Sequence, residues 1–249
     1  MFRSYLIFTS LILILFSCKQ STPPESGVPL TLAQERKAFI SDVKYQLALN
    51  IPNNPEEAIK GNETVHFNSK KELKDVVLDF RQRENSVKSV RANGEQIKVR
   101  HENEHIIIPA KYIREGENNI EIEFEAGSSA LNRNKEYMYA LFVPDRARTA
   151  FPCFDQPDMK AVYELTLTIP ANWEAMSNAD IRSAETTGET KIVHFEPSDL
   201  ISTYLFSFTA GVYKVDRRVV DGREMEFFYR ETDSVKLKAS VPAIFEMHA

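Results

Sequence analysis

The chain has 249 residues, of which 43% are hydrophobic and 27% charged, with a formal net charge of −5. That leaves room for one large domain or two small ones around a buried core, and the balance is too ordinary for bulk disorder. Acidic and basic residues are interspersed, so there is no basic face to hold nucleic acid.

The N-terminus stands apart from this average. Arg3 precedes a nearly continuous apolar run from Leu6 to Phe16, which is of signal-peptide length and short for a membrane span. It closes on Leu15-Phe16-Ser17-Cys18, which reads as a bacterial lipobox in preference to an ordinary secretory signal or a short anchor. On that reading residues 1–17 are a lipoprotein signal peptide. Cys18 then carries lipid, and the exported protein is held at a membrane of the bacterial cell envelope. Residues 18–34, rich in Ser, Thr and Pro as far as Pro29, read as a flexible tether. With Cys18 lipidated, Cys153 has no partner. It reads as a small buried hydrophobe and a poor nucleophile, because no local base accompanies it.

Residues 35–233 carry β patterning. Asp42 to Leu49 alternates with period two and stops before Pro52, and Ala58 to Phe67 and Val76 to Phe80 continue in that style. Asn93-Gly94 predicts a hairpin between Val87–Val90 and Gln96–Val99. Glu117 to Glu125 alternates strictly and implies one wet face. Tyr163 to Ile169, Lys191 to Phe195, Tyr204 to Tyr213 and Met225 to Tyr229 complete the series. Many short strands punctuated by turns predict an all-β fold, an antiparallel saddle or sandwich, with no βαβ unit. Only residues 234–249 change period: Val235, Leu237, Val241, Ile244, Phe245 and Met247 are spaced as on a helix, with Ser240 expected as N-cap ahead of Pro242.

Two stretches invite a chemical reading. His101-Glu102-Asn103-Glu104-His105 matches HExxH literally. Zinc binding by that pattern needs a helix, where i and i+4 share a face and both imidazoles reach one ion. Here Ile97–Arg100 precedes and Ile106-Ile107-Ile108-Pro109 follows, so the expected setting is a turn between strands and the match of His101, Glu102 and His105 is coincidental. The other stretch is Arg146 to Ala161, RARTAFPCFDQPDMKA. Pro152 and Pro157 bar it from helix interiors and central strands, yet Phe151, Cys153, Phe154 and Met159 are too apolar for an ordinary loop. A shaped connection packed on a core is predicted. His66, His194 and His248 have no ligand-spaced partner and read as structural or surface histidines.

The order Pro144, Ala147-Arg148, Ala150-Phe151-Pro152-Cys153-Phe154-Asp155, Pro157, Lys160-Ala161 resembles the N-terminal domain of the aminopeptidase N family of zinc metallopeptidases, related to leukotriene A hydrolase. The resemblance covers roughly residues 35–249. It implies a saddle-shaped β domain followed by a thermolysin-like catalytic domain, which would open near residue 234 and hold the zinc and the peptide substrate. The family's third zinc ligand is a Glu after an eighteen-residue spacer; counting from His105 lands on Phe124, with Glu123 and Glu125 on the wet face of a strand. This chain is therefore expected to bind no zinc and to be inactive alone. Many family members carry Gln-x-Glu facing the substrate on the strand before the proline-rich run. Alignment places those positions at Leu141 and Val143, so both polar groups are absent; the two residues line a cleft or belong to the core. Arg148 and Asp155 are expected to make charge-assisted contacts that hold the loop or a domain junction. The implied function is the non-catalytic β domain of a membrane-anchored zinc aminopeptidase acting on peptides. The alternative from another class is a stand-alone β-sandwich lipoprotein that binds peptides, glycans or a partner protein.

Overall fold

The first half of the fold is β1 (Ile40–Asn50), β2 (Lys60–Ser69), β3 (Val76–Asp79), β4 (Val87–Ala92), β5 (Glu95–Ile97), β6 (His101–Glu102), β7 (His105–Ile108) and β8 (Gly116–Glu125), with alternating burial clearest along β2 and β8 and burial at every position of β3 and β7. The second half follows from β9 (Leu131–Arg133), β10 (Tyr137–Ala140), β11 (Ala161–Pro170), β12 (Glu174–Ser177), β13 (Ile181–Thr187), β14 (Thr190–Phe195), β15 (Phe208–Gly211), β16 (Lys214–Val220) and β17 (Arg223–Tyr229). Helices α1 (Leu30–Phe39) and α2 (Ser234–His248) flank them. The structure is a computed structural model that describes residues 24–70 and 74–248. The leader, Cys18 and residues 19–23 lie outside the described residues, and none of the described helices is long and apolar enough to cross a membrane.

An eight-stranded sheet in the order β13-β14-β11-β1-β2-β8-β4-β5 forms the broad layer. Its inner face carries Tyr45 and Leu47 of β1, Val65 and Phe67 of β2, Ile120 and Ile122 of β8, and Tyr163 and Leu165 of β11, all buried. Their polar neighbours face water, as period two requires. The second layer is the sheet β12-β15-β10-β9. Between the layers lies an aromatic cluster in which Tyr163 and Phe206 stack at 4.2 Å and Phe151 meets Tyr45 edge-on at 6.0 Å. Each such ring contributes about 1.5–3 kcal/mol through burial.

The all-β expectation holds, with two refinements. Among the described residues the ladders are antiparallel except one, β1 beside β11, which run parallel from Val43↔Ala161 to Asn50↔Thr168. A parallel neighbour needs a long crossover, and the chain between them supplies it. The second refinement concerns Tyr204, which lies in the 3-10 turn Thr203–Leu205, so the strand expected from Tyr204 to Tyr213 shrinks to β15.

Both ends also differ from expectation. The tether expected to reach residue 34 gives way to α1 at Leu30, because Leu32, Arg36 and Phe39 at i, i+4 and i+7 form one buried stripe. At the other end Ser240 is not the N-cap. The Asp233 carboxylate accepts the amides of Val235 (2.9 Å) and Lys236 (3.3 Å), which starts α2 earlier and leaves Pro242 inside it. The β16–β17 ribbon pairs with no other described strand; α2 leans on it through Arg218 over the Phe245 ring at 4.7 Å.

Candidate functional site

The proline-rich stretch is a loop bolted into the core. Pro152 prevents regular ladder formation, so its neighbours find partners singly. Cys153 exchanges main-chain bonds with Asp79, 2.7 and 3.0 Å, and the Phe154 amide donates to the Tyr45 hydroxyl at 2.9 Å. Phe151, Cys153 and Phe154 are fully buried. Burial, followed by the nearby Asp155 and Asp79 carboxylates, pushes the Cys153 thiol well above its ordinary range, which suits a packing group and not a nucleophile.

Asp79, at the end of β3, is the node that this loop surrounds. It is completely buried and accepts a fork from Arg36 of α1, at 2.6 Å to Oδ1 and 2.8 Å to Oδ2. The Asp155 amide donates to Oδ2 at 2.8 Å, and the His105 Nδ1 lies 3.0 Å from Oδ1. Burial alone would raise this carboxyl, but Arg36, His105 and the Asp155 amide outweigh it and hold Asp79 below its ordinary value. Arg36 also donates to the Val77 carbonyl at 2.8 Å, so its guanidinium ties α1 to β3 and the loop at once.

Arg148 and Asp155 both make charge-assisted contacts that hold the loop, though their side chains do not pair with each other. Asp155 accepts the Arg148 backbone amide at 3.1 Å and the Thr203 hydroxyl at 2.8 Å, while the Arg148 guanidinium turns to Asp145 at 2.9 Å. The 3-10 turn Ala147–Thr149 aims the Arg148 amide, not its side chain, at the carboxylate. Burial outweighs these donors and raises Asp155.

His101 and His105 sit on the β6–β7 hairpin. Asn103 and Glu104 form its two-residue turn with φ of 49° and 68°, as a type I′ turn requires. Glu102 pairs with His105 and His101 with Ile106, so the two imidazoles leave the ribbon on opposite faces. His101 Nε2 donates to the Phe80 carbonyl at 2.7 Å and His105 Nε2 to the Glu25 carbonyl at 3.0 Å. These residues do not fit a shared zinc ion, since each imidazole is committed to a separate carbonyl. Glu123 and Glu125 face away from the core on β8, as the alternation required.

Leu141 and Val143 continue the alternation of β10 past the end of its ladder. Met138, Ala140 and Phe142 point inward, whereas Tyr139, Leu141 and Val143 are 41%, 45% and 51% exposed. Their assignment to the core is therefore excluded; they make an apolar row on the surface, just ahead of the buried loop. Tyr139 stacks on Tyr137, and Arg230 sits over the Tyr137 ring, which extends the row toward the β16–β17 ribbon. Leu141 and Val143 offer only apolar contact, while Tyr137 and Tyr139 add phenol hydroxyls to the row.

Sequence reasoning missed Arg36, Asp79 and Tyr139. The first two did leave a signal. Arg36 interrupts an apolar helical stripe, and Asp79 ends the otherwise apolar run Val76-Val77-Leu78 ahead of Phe80; a charge at a buried position demands a counter-charge.

Comparison with known proteins follows this geometry. The sequence profile of the Peptidase M1 N-terminal domain matches residues 41–205, from β1 to the turn before β15. "Probable aminopeptidase 1" of Sulfurisphaera tokodaii is 31% identical over 139 residues, 51% of this chain and 17% of its own length. "Aminopeptidase M1" of Arabidopsis thaliana is 35% identical over 88 residues, 35% of this chain and 10% of its own. "Tricorn protease-interacting factor F2" of Thermoplasma volcanium is 40% identical over 79 residues, 32% of this chain and 10% of its own. The chain thus spans less than a fifth of the length of these relatives.

Proposed function

The chain belongs to the Peptidase M1 N-terminal domain family, and from that premise we propose that it is the non-catalytic β domain of a membrane-anchored zinc aminopeptidase, one that removes N-terminal residues from peptides. The observation that carries the reading is the match over residues 41–205, which takes in both the central sheet and the buried proline-rich loop. Relatives named as aminopeptidases support the reaction class. The lipobox ending at Cys18 supports the anchor.

In this reading the domain contributes a wall of the substrate cleft. Tyr139, Leu141 and Val143 present apolar surface where a hydrogen-bonding pair would otherwise meet the substrate amine. Zinc and a glutamate base would be held by a catalytic domain of the complete protein, where the metal would supply Lewis-acid activation. This chain's own part is to exclude water from one side of the cleft and to fix the cleft wall through the Arg36–Asp79 node.

The gene read beyond codon 249 is expected to encode HExxH followed by a Glu at family spacing. An authentic stop codon at that point would replace this reading with that of a binding lipoprotein. In the complete enzyme, Leu141→Gln with Val143→Glu should shift KM for peptides with a free amino terminus. An unchanged KM would remove these residues from the cleft. Purified 1–249 should release no amino acid from peptides; zinc-dependent release would overturn the assignment.

A further inference from the structure

The polypeptide ahead of α1 is fastened to the body of the domain at one spot, the β6–β7 turn. Asn103 Nδ2 donates to the Pro24 carbonyl at 3.1 Å, His105 Nε2 to the Glu25 carbonyl at 3.0 Å, and the Gly27 amide to Glu104 Oε2 at 3.2 Å. Gly27 holds a φ of 85°, a conformation that other residues rarely adopt, so the strap bends where only glycine bends cheaply. A few residues later Arg36 locks α1 into the Asp79 node. Two fastenings, linked through His105, therefore bracket residues 24–39, and the chain from Pro24 onward moves with the domain.

We propose that this strap orients the domain on a lipid bilayer, with the β6–β7 turn and the residues that follow β3 as its membrane-facing surface. The proposal rests on the reading that Cys18 is lipidated. Fully extended, the chain from Cys18 to Pro24 reaches at most about 20 Å. A lead that short, ending on a fixed strap, confines the β6–β7 turn to the neighbourhood of the headgroups and denies the domain free tumbling. Phe80 donates its amide to the Glu104 carbonyl at 2.7 Å, so the exposed Arg81 follows directly after the turn's contact and Arg83 two residues further on, within reach of phosphate headgroups. The acidic groups there are Glu104, which accepts the Gly27 amide, Glu102, paired with Arg100 at 3.3 Å, and the exposed Glu25 and Glu84, so it is the short lead from Cys18 and the fixed strap, and not net charge, that set the orientation.

The test uses the lipidated protein in phosphatidylcholine–phosphatidylglycerol vesicles that carry a fluorescent acceptor on the headgroups. A donor dye is placed on one introduced cysteine, Glu84→Cys in the stretch that follows β3 or Thr186→Cys on β13; Cys153 is fully buried and stays unlabelled. Energy transfer should be several-fold greater from position 84 than from position 186. Asn103→Asp with Glu104→Gly cuts two strap contacts while suiting the positive φ of the turn, and should bring the ratio toward one. Equal transfer from both positions in the otherwise native protein, or a ratio untouched by the double variant, overturns the orientation. Flotation decides the premise separately. A chain that does not float with vesicles, or floats equally well as Cys18→Ser, removes the anchor and the proposal together, whereas a floating chain with equal transfer removes the proposal alone.

Discussion

Asp79 and Glu63 are both shut away from solvent, and their surroundings are opposite. Asp79 takes a fork from Arg36, an amide from Asp155 and the edge of His105. Glu63 points inward from β2, opposite Leu47 of β1 and Ile122 of β8, and neither of its oxygens meets a hydrogen-bond donor from the protein. Desolvation acts on both. At Asp79 the donors overcome it and the carboxyl stays below its ordinary value, whereas at Glu63 burial acts alone and raises the carboxyl well above it. A buried carboxylate is thus a fastening when its partners arrive from three segments, and a cost when its strand neighbours are apolar.

Breaking the well-partnered site should have the largest effect. Arg36→Met leaves Asp79 buried without its cation and should lower stability by about 3–5 kcal/mol. Urea denaturation measures this, and a loss under about 1 kcal/mol would show that the node is incidental. Adding Asp79→Leu to that variant should recover part of the loss: it removes the stranded charge but leaves the Asp155 amide and His105 Nδ1 without their acceptor.

Removing the unpartnered site should act in the other direction. Glu63→Met should stabilise the domain at pH 7 by about 1–3 kcal/mol, because the buried acceptors without donors are gone. A destabilised Glu63→Met would mean that the carboxyl serves the native core.

The pH dependences of the two sites carry opposite signs. A raised carboxyl binds its proton in the native state after the unfolded chain has lost it, so the Glu63 penalty grows as pH rises from about 4.3, the unfolded glutamate value. The advantage of Glu63→Met should therefore shrink on acidification. Asp79, being depressed, contributes fully above about 3.9 and loses its contribution as pH falls through its native value. The penalty of Arg36→Met should close in that acid window, and thermal melts from pH 3 to 8 test both trends.

Surface sites set the lower end of the scale. Leu141→Gln with Val143→Glu should alter stability by no more than about 0.5 kcal/mol, since both side chains are exposed. A larger loss would mean that the row packs against something in the isolated domain. The Arg182–Glu196 pair, at 2.8 Å on the surface, should leave the melting midpoint unmoved when it is cut by Arg182→Ala.

Much of the fold was legible because each strand advertises itself locally. Period two in Asp42–Leu49 and Glu117–Glu125, the Asn93-Gly94 turn and the stop at Pro170 correspond to β1, β8, the β4–β5 hairpin and the end of β11. The hairpin setting of His101 and His105 was legible for the same reason, since its flanks alternate or run apolar without helical spacing. Less was legible at the ends and the edges. β13 is exposed at every position, so no alternation marked it, and α1 hides its helical stripe behind a buried arginine.

The sequence by itself determined the strands, the turns and the family, because backbone preferences and face alternation are properties of neighbours. Tertiary structure decided which faces were covered. Alternation says that Tyr139, Leu141 and Val143 share a side, but only the arrangement of β9, β10 and β15 leaves that side bare. It likewise decided the fate of the buried charges: Arg36 and Asp79 stand 43 residues apart in the chain, and their bond exists because α1 and β3 are pressed against one loop. A residue's own neighbours set its direction, while the element that arrives from far along the chain sets its surroundings, and it is the surroundings that fix the free energy of a charge.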